Sequence, residues 1–371
     1  MISKSLSLAI LGTRGVPARY GGFETFAAEL SRRLVQRGHR VTVYCRASLY
    51  PDAAKEWEGV RRIDLPAIRH KYLETVSHAL LSAIDALGRS YDAVLLCNAA
   101  NAFVLPLLRA ARVPVAINVD GIERMRRKWN ALGRGVYLAG ETLSDAFADA
   151  LVADAEVIAD YYRARFGANP HVIAYGADFP SEIDTGILGQ LGLGPRRYLL
   201  YVSRFEPENN PEAVLDAFRR VKTELPLVMV GDAPYARELV ERLRATADPR
   251  VLFPGAIYGA DYRTLQRNAL LYIQATEVGG THPAMIEAMG SGGAVLAHDT
   301  PENREVGRDA VRYFRLGPEE GLSTQIERML ADPGALEPLR QAARARSAAN
   351  YSWEKVTEAY EMLLFGMIGA S

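Results

Sequence analysis

Residues 198–220 read YLLYVSRFEPENNPEAVLDAFRR. A short apolar run ends in a polar turn. Pro211 follows, which suits the first position of a helix. This strand–turn–helix unit recurs on both sides of the quoted stretch. Toward the C-terminus, PLVMVG (226–231), RVLFPG (250–255), LLYIQ (270–274) and AVLAH (294–298) are strand-like, each with a helical segment after it. Toward the N-terminus, LSLAIL (6–11), VTVYC (41–45), AVLLC (93–97), PVAIN (114–118) and ALVAD (150–154) repeat the theme. Between the first two, Phe23, Phe26, Ala27, Leu30 and Leu34 stand at helical spacing, and Gly38 closes the helix. Apolar runs that alternate with helices indicate parallel sheets covered on both faces. The alternation runs once to about residue 154 and restarts at 198. The glycine-rich stretch FPSEIDTGILGQLGLGPRR (179–197) reads as a linker. The fold class is therefore α/β: two doubly wound, Rossmann-like domains, 1–180 and 181–350, facing a cleft. The closing segment, 351–371, reads as a helix with a Trp and Tyr face that crosses back to the first domain.

Composition narrows the function classes. Hydrophobic residues make up 49% and charged residues 24%, an ordinary globular balance. No apolar run approaches the roughly 18 residues of a membrane span, and the first apolar segment runs into a glycine-rich turn, so it reads as a strand and not a signal peptide. Cys45 and Cys97 both lie in strand-like runs and read as core thiols in a reducing compartment. The zero net charge hides an asymmetry. Residues 1–180 hold 23 Lys/Arg against 18 Asp/Glu, and residues 181–371 hold 21 against 26. The basic clusters RRLVQR (32–37), IRHK (68–71) and RMRRK (124–128) are either a solvated surface or a platform for an anionic partner. Nucleic acid is disfavoured, because no basic run is interleaved with aromatics.

Ligands bind at the carboxyl ends of strands in such folds, and four motifs stand there. GTRGVPARYGGFET follows the first strand. It is neither a dinucleotide fingerprint nor a P-loop. Gly21 and Gly22 nevertheless open a helix, where backbone N–H groups can approach a phosphate or sugar, and Arg19 lies beside them. In the quoted stretch, Arg204 at a strand end suits a diphosphate, or a salt bridge to Glu206 or Glu208. In EVGGTHPAMIEAMG (277–290), Gly280, Thr281, His282 and Pro283 form a helix N-terminus. Glu287 sits one turn in and can accept from two vicinal hydroxyls, as on a ribose. In INVDGIERMRRKW (117–129), Asp120 follows a buried strand and fits either a substrate hydroxyl or a local turn. Asn98 ends another strand of the first half. Lys71 and His78 are weaker candidates for an acceptor side. No D-x-D, HExxH, paired CxxC or GxSxG occurs, so no metal is expected.

Taken together, YGGFETFAAELSRRLVQRGHRVTVY (20–44), YVSRFEPENN (201–210), GGTHPAMIEAMG (279–290) and YSWEKV (351–356) resemble the GT-B glycosyltransferases of family GT4. The resemblance spans nearly the whole chain. It implies a retaining, metal-independent enzyme with an N-terminal acceptor-side domain and a C-terminal nucleotide-sugar domain. It implies that Gly21 and Gly22 approach the donor sugar and phosphate, that Arg204 holds the diphosphate, and that Glu287 holds the ribose; the helix start at 280–283 can itself take the phosphate or sugar through its N–H groups. Asp120 falls where many relatives carry a histidine near the reacting sugar. Two positions depart from the broader family: Gly279 stands where a glutamate is usual, and Asn209 where a lysine is. With these departures the motifs look like a rhamnosyltransferase subgroup of cell-surface polysaccharide synthesis.

That resemblance implies dTDP-L-rhamnose as donor, used as substrate with no cofactor. It implies a glycan or lipid-linked saccharide as acceptor, and a cytoplasmic enzyme with peripheral contact at the inner membrane face through its basic first domain. The rival readings are a GT4 transferase using a UDP-hexose or GDP-mannose, a sugar-nucleotide 2-epimerase, and a non-catalytic nucleotide-sugar binding protein.

Overall fold

A computed structural model of the chain describes residues 5–18, 21–51, 54–70, 73–126, 129–177, 186–232, 237–317 and 321–369. It divides into two compact units. The first comprises Met1–Met125, Trp129–Tyr175 and Trp353–Ser371; the second comprises Arg126–Lys128 and Gly176–Ser352.

The first unit is built on eight strands: β1 (Ser7–Leu11), β2 (Arg40–Arg46), β3 (Glu56–Trp57), β4 (Val60–Leu65), β5 (Ala93–Cys97), β6 (Val115–Asn118), β7 (Ala150–Ala153) and β8 (His171–Val172). They lie in the order β3-β4-β2-β1-β5-β6-β7-β8, parallel throughout except for the β3–β4 hairpin. The sequence reading lacked β3, β4 and β8. In β4 the charged Arg61 and Arg62 interrupt the apolar pattern, and β3 and β8 have two residues each, too short for any periodicity. The helices are α1 (Gly22–Gln36), α2 (Leu73–Leu87), α3 (Leu105–Ala110), α4 (Ala131–Phe147) and α5 (Glu156–Phe166). One core cluster joins Ala9, Leu11, Val94 and Leu96 of the sheet to Ala79 and Ala83 of α2, Leu108 of α3 and Ile158 of α5. Truncating Leu96, which is fully buried, would cost about 2–5 kcal/mol.

The second unit carries β9 (Leu199–Val202), β10 (Leu227–Val230), β11 (Val251–Gly255), β12 (Leu271–Gln274), β13 (Val295–His298) and β14 (Arg312–Phe314). Their order is β11-β10-β9-β12-β13-β14, and every neighbouring pair is parallel. Its helices are α6 (Gly186–Gln190), α7 (Pro211–Arg220), α8 (Arg237–Arg244), α9 (Gly259–Asn268), α10 (Pro283–Gly290), α11 (Pro301–Gly307), α12 (Leu322–Ala331) and α13 (Leu336–Asn350). Helix α7 begins at Pro211 and turns Val214, Leu215 and Phe218 into the core, as the quoted stretch predicts. Part of the expected linker is ordered instead. Helix α6 lies inside it, because Ile187 and Leu188 are buried; residues 179–185 of that stretch lie outside the described residues.

The final helix, α14 (Trp353–Gly369), belongs to the first unit. Phe26 of α1 packs on Tyr360 at 5.2 Å and on Trp353 at 6.5 Å between ring centroids. Glu361 pairs with Arg37 at 2.6 Å and with His39 at 2.7 Å.

Glycines allow the closest approaches at the carboxyl ends of both sheets. At Gly12, with φ +88°, a Cβ would lie 2.3 Å from the Cys97 carbonyl oxygen; at Gly231, with φ +150°, it would lie 1.8 Å from that of Ser203. Any side chain at either position would push neighbouring strand ends apart.

Candidate functional site

In the first unit, the ends of β5 and β6 hold the expected residues Asn98 and Asp120. Both adopt left-handed φ values, +75° and +57°, which non-glycine residues hold only where surrounding contacts fix them. Asn118 supplies those contacts. Its carbonyl accepts from the Asn98 N–H at 2.8 Å, and its side-chain oxygen accepts from the Asp120 N–H at 2.9 Å. Its amide donates to the Tyr360 hydroxyl at 2.8 Å. The Tyr175 hydroxyl donates to Asp120 Oδ1 at 3.0 Å. Burial, then the nearby Asp120 charge, holds the Tyr175 pKa well above the usual phenol value, so it remains a donor.

Asn118 is not among the residues expected from the sequence. A polar residue at the end of the buried run VAIN was the available signal, since a buried amide needs partners. Tyr175 and Tyr360 left no comparable trace, because they meet this loop only through the fold.

Gly21 is the extended residue before α1, with no side-chain cap, and Gly22 is the helix's first residue. Phe23 places its ring edge-on to Tyr175 at 6.4 Å, which links the start of α1 to the Asp120 cluster. Glu24, also missed, is buried and accepts from the Arg14 N–H at 2.9 Å, fixing the loop after β1. His78 lies inside, 1% exposed, on the inner face of α2. Burial first, then Arg46, lowers its pKa to about 4, although Glu74 opposes the shift. It is a neutral interior group at pH 7 and not a surface contact. Arg19 and Lys71 lie outside the described residues.

In the second unit, Arg204 follows β9 on a loop held from within. The Asn209 amide donates to the Arg204 carbonyl at 2.6 Å, and the Tyr201 hydroxyl donates to the Asn209 carbonyl at 2.7 Å. Asn209, expected at the donor, spends its amide on this loop. The Arg204 side chain is 38% exposed, and its guanidinium lies 3.8 Å from Glu206. Arg126 lies 3.6 Å from Glu206 and 3.4 Å from the buried Glu208.

Helix α10 starts at Pro283, and its cap residue His282 makes no side-chain cap bond. The first-turn N–H groups therefore have no side-chain acceptor at that cap. Thr281 is buried and Gly280 precedes it. Burial, with the Arg126 charge adding to it, lowers the His282 pKa to about 4, and its Nε2 is buried without a partner among the described residues. A Cβ built on Gly279 would lie 2.4 Å from His282 Cε1, so the imidazole occupies the space a side chain there would need.

Glu287 is half-buried on α10. Its Oε2 accepts from the Tyr262 hydroxyl at 2.6 Å, and that hydroxyl accepts from the Gln266 amide at 2.7 Å. Gln266 also donates to the Ala284 carbonyl at 3.0 Å. Burial, then the Glu287 charge, keeps Tyr262 protonated. The carboxylate is thus oriented from α9 by two residues that the sequence reading missed. Among the described residues, no cluster of three or more His, Cys, Asp or Glu could hold a metal ion.

Two family models match the chain: "Glycosyl transferase 4-like domain" over residues 21–176 and "Glycosyl transferases group 1" over residues 189–346. Together they take in every strand but β1, and both clusters described above except Tyr360. The chain is a glycosyltransferase of the GT4 type. Solved structures share its GT-B fold. Sucrose-phosphate synthase from Thermosynechococcus elongatus matches at TM-score 0.81 and 19% identity, over 99% of this chain and 100% of that one. HepE from Anabaena in complex with UDP-glucose matches at 0.78 and 17%, over 96% and 98%. The catalytic domain of starch synthase IV from Arabidopsis thaliana, bound to ADP and acarbose, matches at 0.77 and 13%, over 99% and 100%. No curated protein sequence matches the glycosyltransferase.

Proposed function

We propose that the glycosyltransferase is a retaining enzyme that moves L-rhamnose from dTDP-L-rhamnose to a hydroxyl of a lipid-linked saccharide during cell-surface polysaccharide synthesis. The second unit holds the donor: Arg204 and the N–H groups of Gly280, Thr281, His282 and Ala284 take the diphosphate, and Glu287, oriented by Tyr262, takes the ribose hydroxyls. Negative charge grows on the departing diphosphate as the glycosidic bond breaks, so these donors stabilise the transition state more than the ground state. The acceptor hydroxyl attacks the anomeric carbon from the leaving group's face and passes its proton to the departing phosphate oxygen. Gly21 and Gly22 approach the sugar, and Asp120, held by Asn118 and Tyr175, positions the sugar or acceptor. No metal or cofactor takes part in this scheme.

One observation favours the 6-deoxy sugar. Where the broader family that this sequence resembles carries a glutamate, the His282 imidazole packs over Gly279. A neutral ring in place of a carboxylate suits a sugar with one hydroxyl fewer. UDP-glucose is the second reading, favoured by its presence in the HepE complex of the same fold.

The test is a donor panel of dTDP-L-rhamnose, UDP-glucose, UDP-galactose, UDP-N-acetylglucosamine and GDP-mannose, each with and without a lipid-linked saccharide. Acceptor-dependent release of dTDP supports the proposal. Release from another donor keeps the transferase and discards rhamnose. Donor binding with no release under any acceptor favours the epimerase or the binding protein.

A further inference from the structure

We propose that the outward face of α2, continued by α3 and α4, seats the first unit on an anionic lipid bilayer. The idea rests on the lipid-linked acceptor proposed above and adds the surface that would reach it. Every exposed residue of α2 is aliphatic: Leu73, Val76, Leu80, Leu81 and Ile84, at 39–54% exposure. The buried face of the same helix is small or polar, with His78, Ala79, Ser82, Ala83 and Ala86. This reverses the usual helix of a water-facing surface. Helix α8 shows the usual arrangement, for its exposed residues are Arg237, Glu238, Glu241, Arg242 and Arg244.

The apolar face extends beyond one helix. Of the thirteen exposed large apolar side chains among the described residues, ten fall between Ile68 and Val136. They lie on α2, α3, α4 and their flanks, and these helices touch one another. Leu132 and Val136 of α4 are 77% and 54% exposed. A cluster of exposed aliphatics such as that on α2 marks an interaction site, because single exposed aliphatics are ordinary but clusters are not.

Charge selects the bilayer as occupant. Among the described residues of 61–140, Arg61, Arg69, Arg109, Arg112 and Arg134 are exposed and no Asp or Glu is. The two carboxylates of α2 are already engaged: Glu74 with Arg46 at 3.1 Å and Asp85 with Arg89 at 2.6 Å. Arg69 precedes α2, Arg112 follows α3 and Arg134 lies on α4. An apolar face rimmed by arginines can sink into the acyl boundary while its cations meet lipid phosphates. A second copy on the same face would bring like charges together.

Co-sedimentation with vesicles of phosphatidylcholine alone, or with about one-third phosphatidylglycerol, tests the proposal. The full chain should bind the anionic vesicles at least about tenfold more tightly than the neutral ones. The double variant Leu80→Asp/Ile84→Asp should lose at least about tenfold of that affinity. Its Tm and its release of nucleoside diphosphate with a short soluble acceptor should stay unchanged. In an otherwise intact chain, Ile84→Trp should shift its fluorescence to the blue on anionic vesicles. The proposal is overturned if the wild type does not bind, if the double variant binds as well as the wild type, or if the substitutions merely convert a dimer to a monomer. Turnover of the soluble acceptor without vesicle binding would sink this surface alone. Vesicle binding with no turnover would sink the functional reading alone.

Discussion

At the carboxyl end of the first sheet, polar groups are locked to one another. Asn118 binds the backbones of Asn98 and Asp120, and Tyr175 and Tyr360 complete the cluster. At the corresponding end of the second sheet, groups are braced by residues behind them. Arg204 stands, 38% exposed, on a loop held by Asn209 and Tyr201, and Glu287 accepts from Tyr262. A rigid carboxylate in a strained turn suits a neutral hydroxyl that must be aligned. An accessible cation and an uncapped helix start suit a diphosphate whose charge must be neutralised. In the proposed reaction, two sheets of one topology class serve different halves of the transfer.

The largest effect should come from Arg204→Ala. Removing the cation proposed to meet the developing charge should lower kcat for nucleoside diphosphate release by about a hundredfold or more, with little change in Tm because the side chain is partly exposed. A loss under about threefold would show that the diphosphate is neutralised elsewhere.

Glu287→Gln and Tyr262→Phe should form a graded pair. The first should weaken dTDP binding about tenfold, as expected for a hydrogen bond to a charged group. The second removes only the group that orients Glu287, and should weaken binding by about three- to fivefold. The reverse order in titration calorimetry would move the ribose contact from Glu287 to another group.

The smallest effect is on stability. His78 has a folded-state pKa of about 4 against an ordinary 6.5, with burial the main cause. As pH falls, the unfolded chain takes up the proton first. Stability is therefore complete above about pH 6.5 and is lost progressively down to about pH 4. His78→Gln removes this component, so the Tm gap between wild type and variant should narrow between pH 7 and pH 4. A gap independent of pH would mean that His78 titrates normally. His282 shifts in the same direction, and its contribution should persist in the His78 variant.

The fold class was legible because buried parallel strands are continuous apolar runs, and ten of them stand out between amphipathic helices. Strands β3, β4, β8 and β14 were not, being short or interrupted by charge. The second cluster was partly legible because Gly280, His282, Pro283 and Glu287 are adjacent in sequence and announce a helix start. Tyr262 and Gln266 were not, since they reach Glu287 only once α9 packs near α10. The first cluster was harder still: Asn118 and Tyr360 bond across 242 positions of sequence. Local pattern shows where a loop must bend, and only packing shows what holds it there.

The most direct test of the division between the two clusters is calorimetric titration of dTDP and UDP into wild type, Glu287→Gln and Asp120→Asn, alongside turnover with the best donor. The account predicts that Glu287→Gln weakens the preferred nucleotide about tenfold. It also predicts that Asp120→Asn leaves that affinity unchanged while turnover falls by about tenfold or more. Equal weakening by both substitutions, or unaltered turnover in Asp120→Asn, would contradict it.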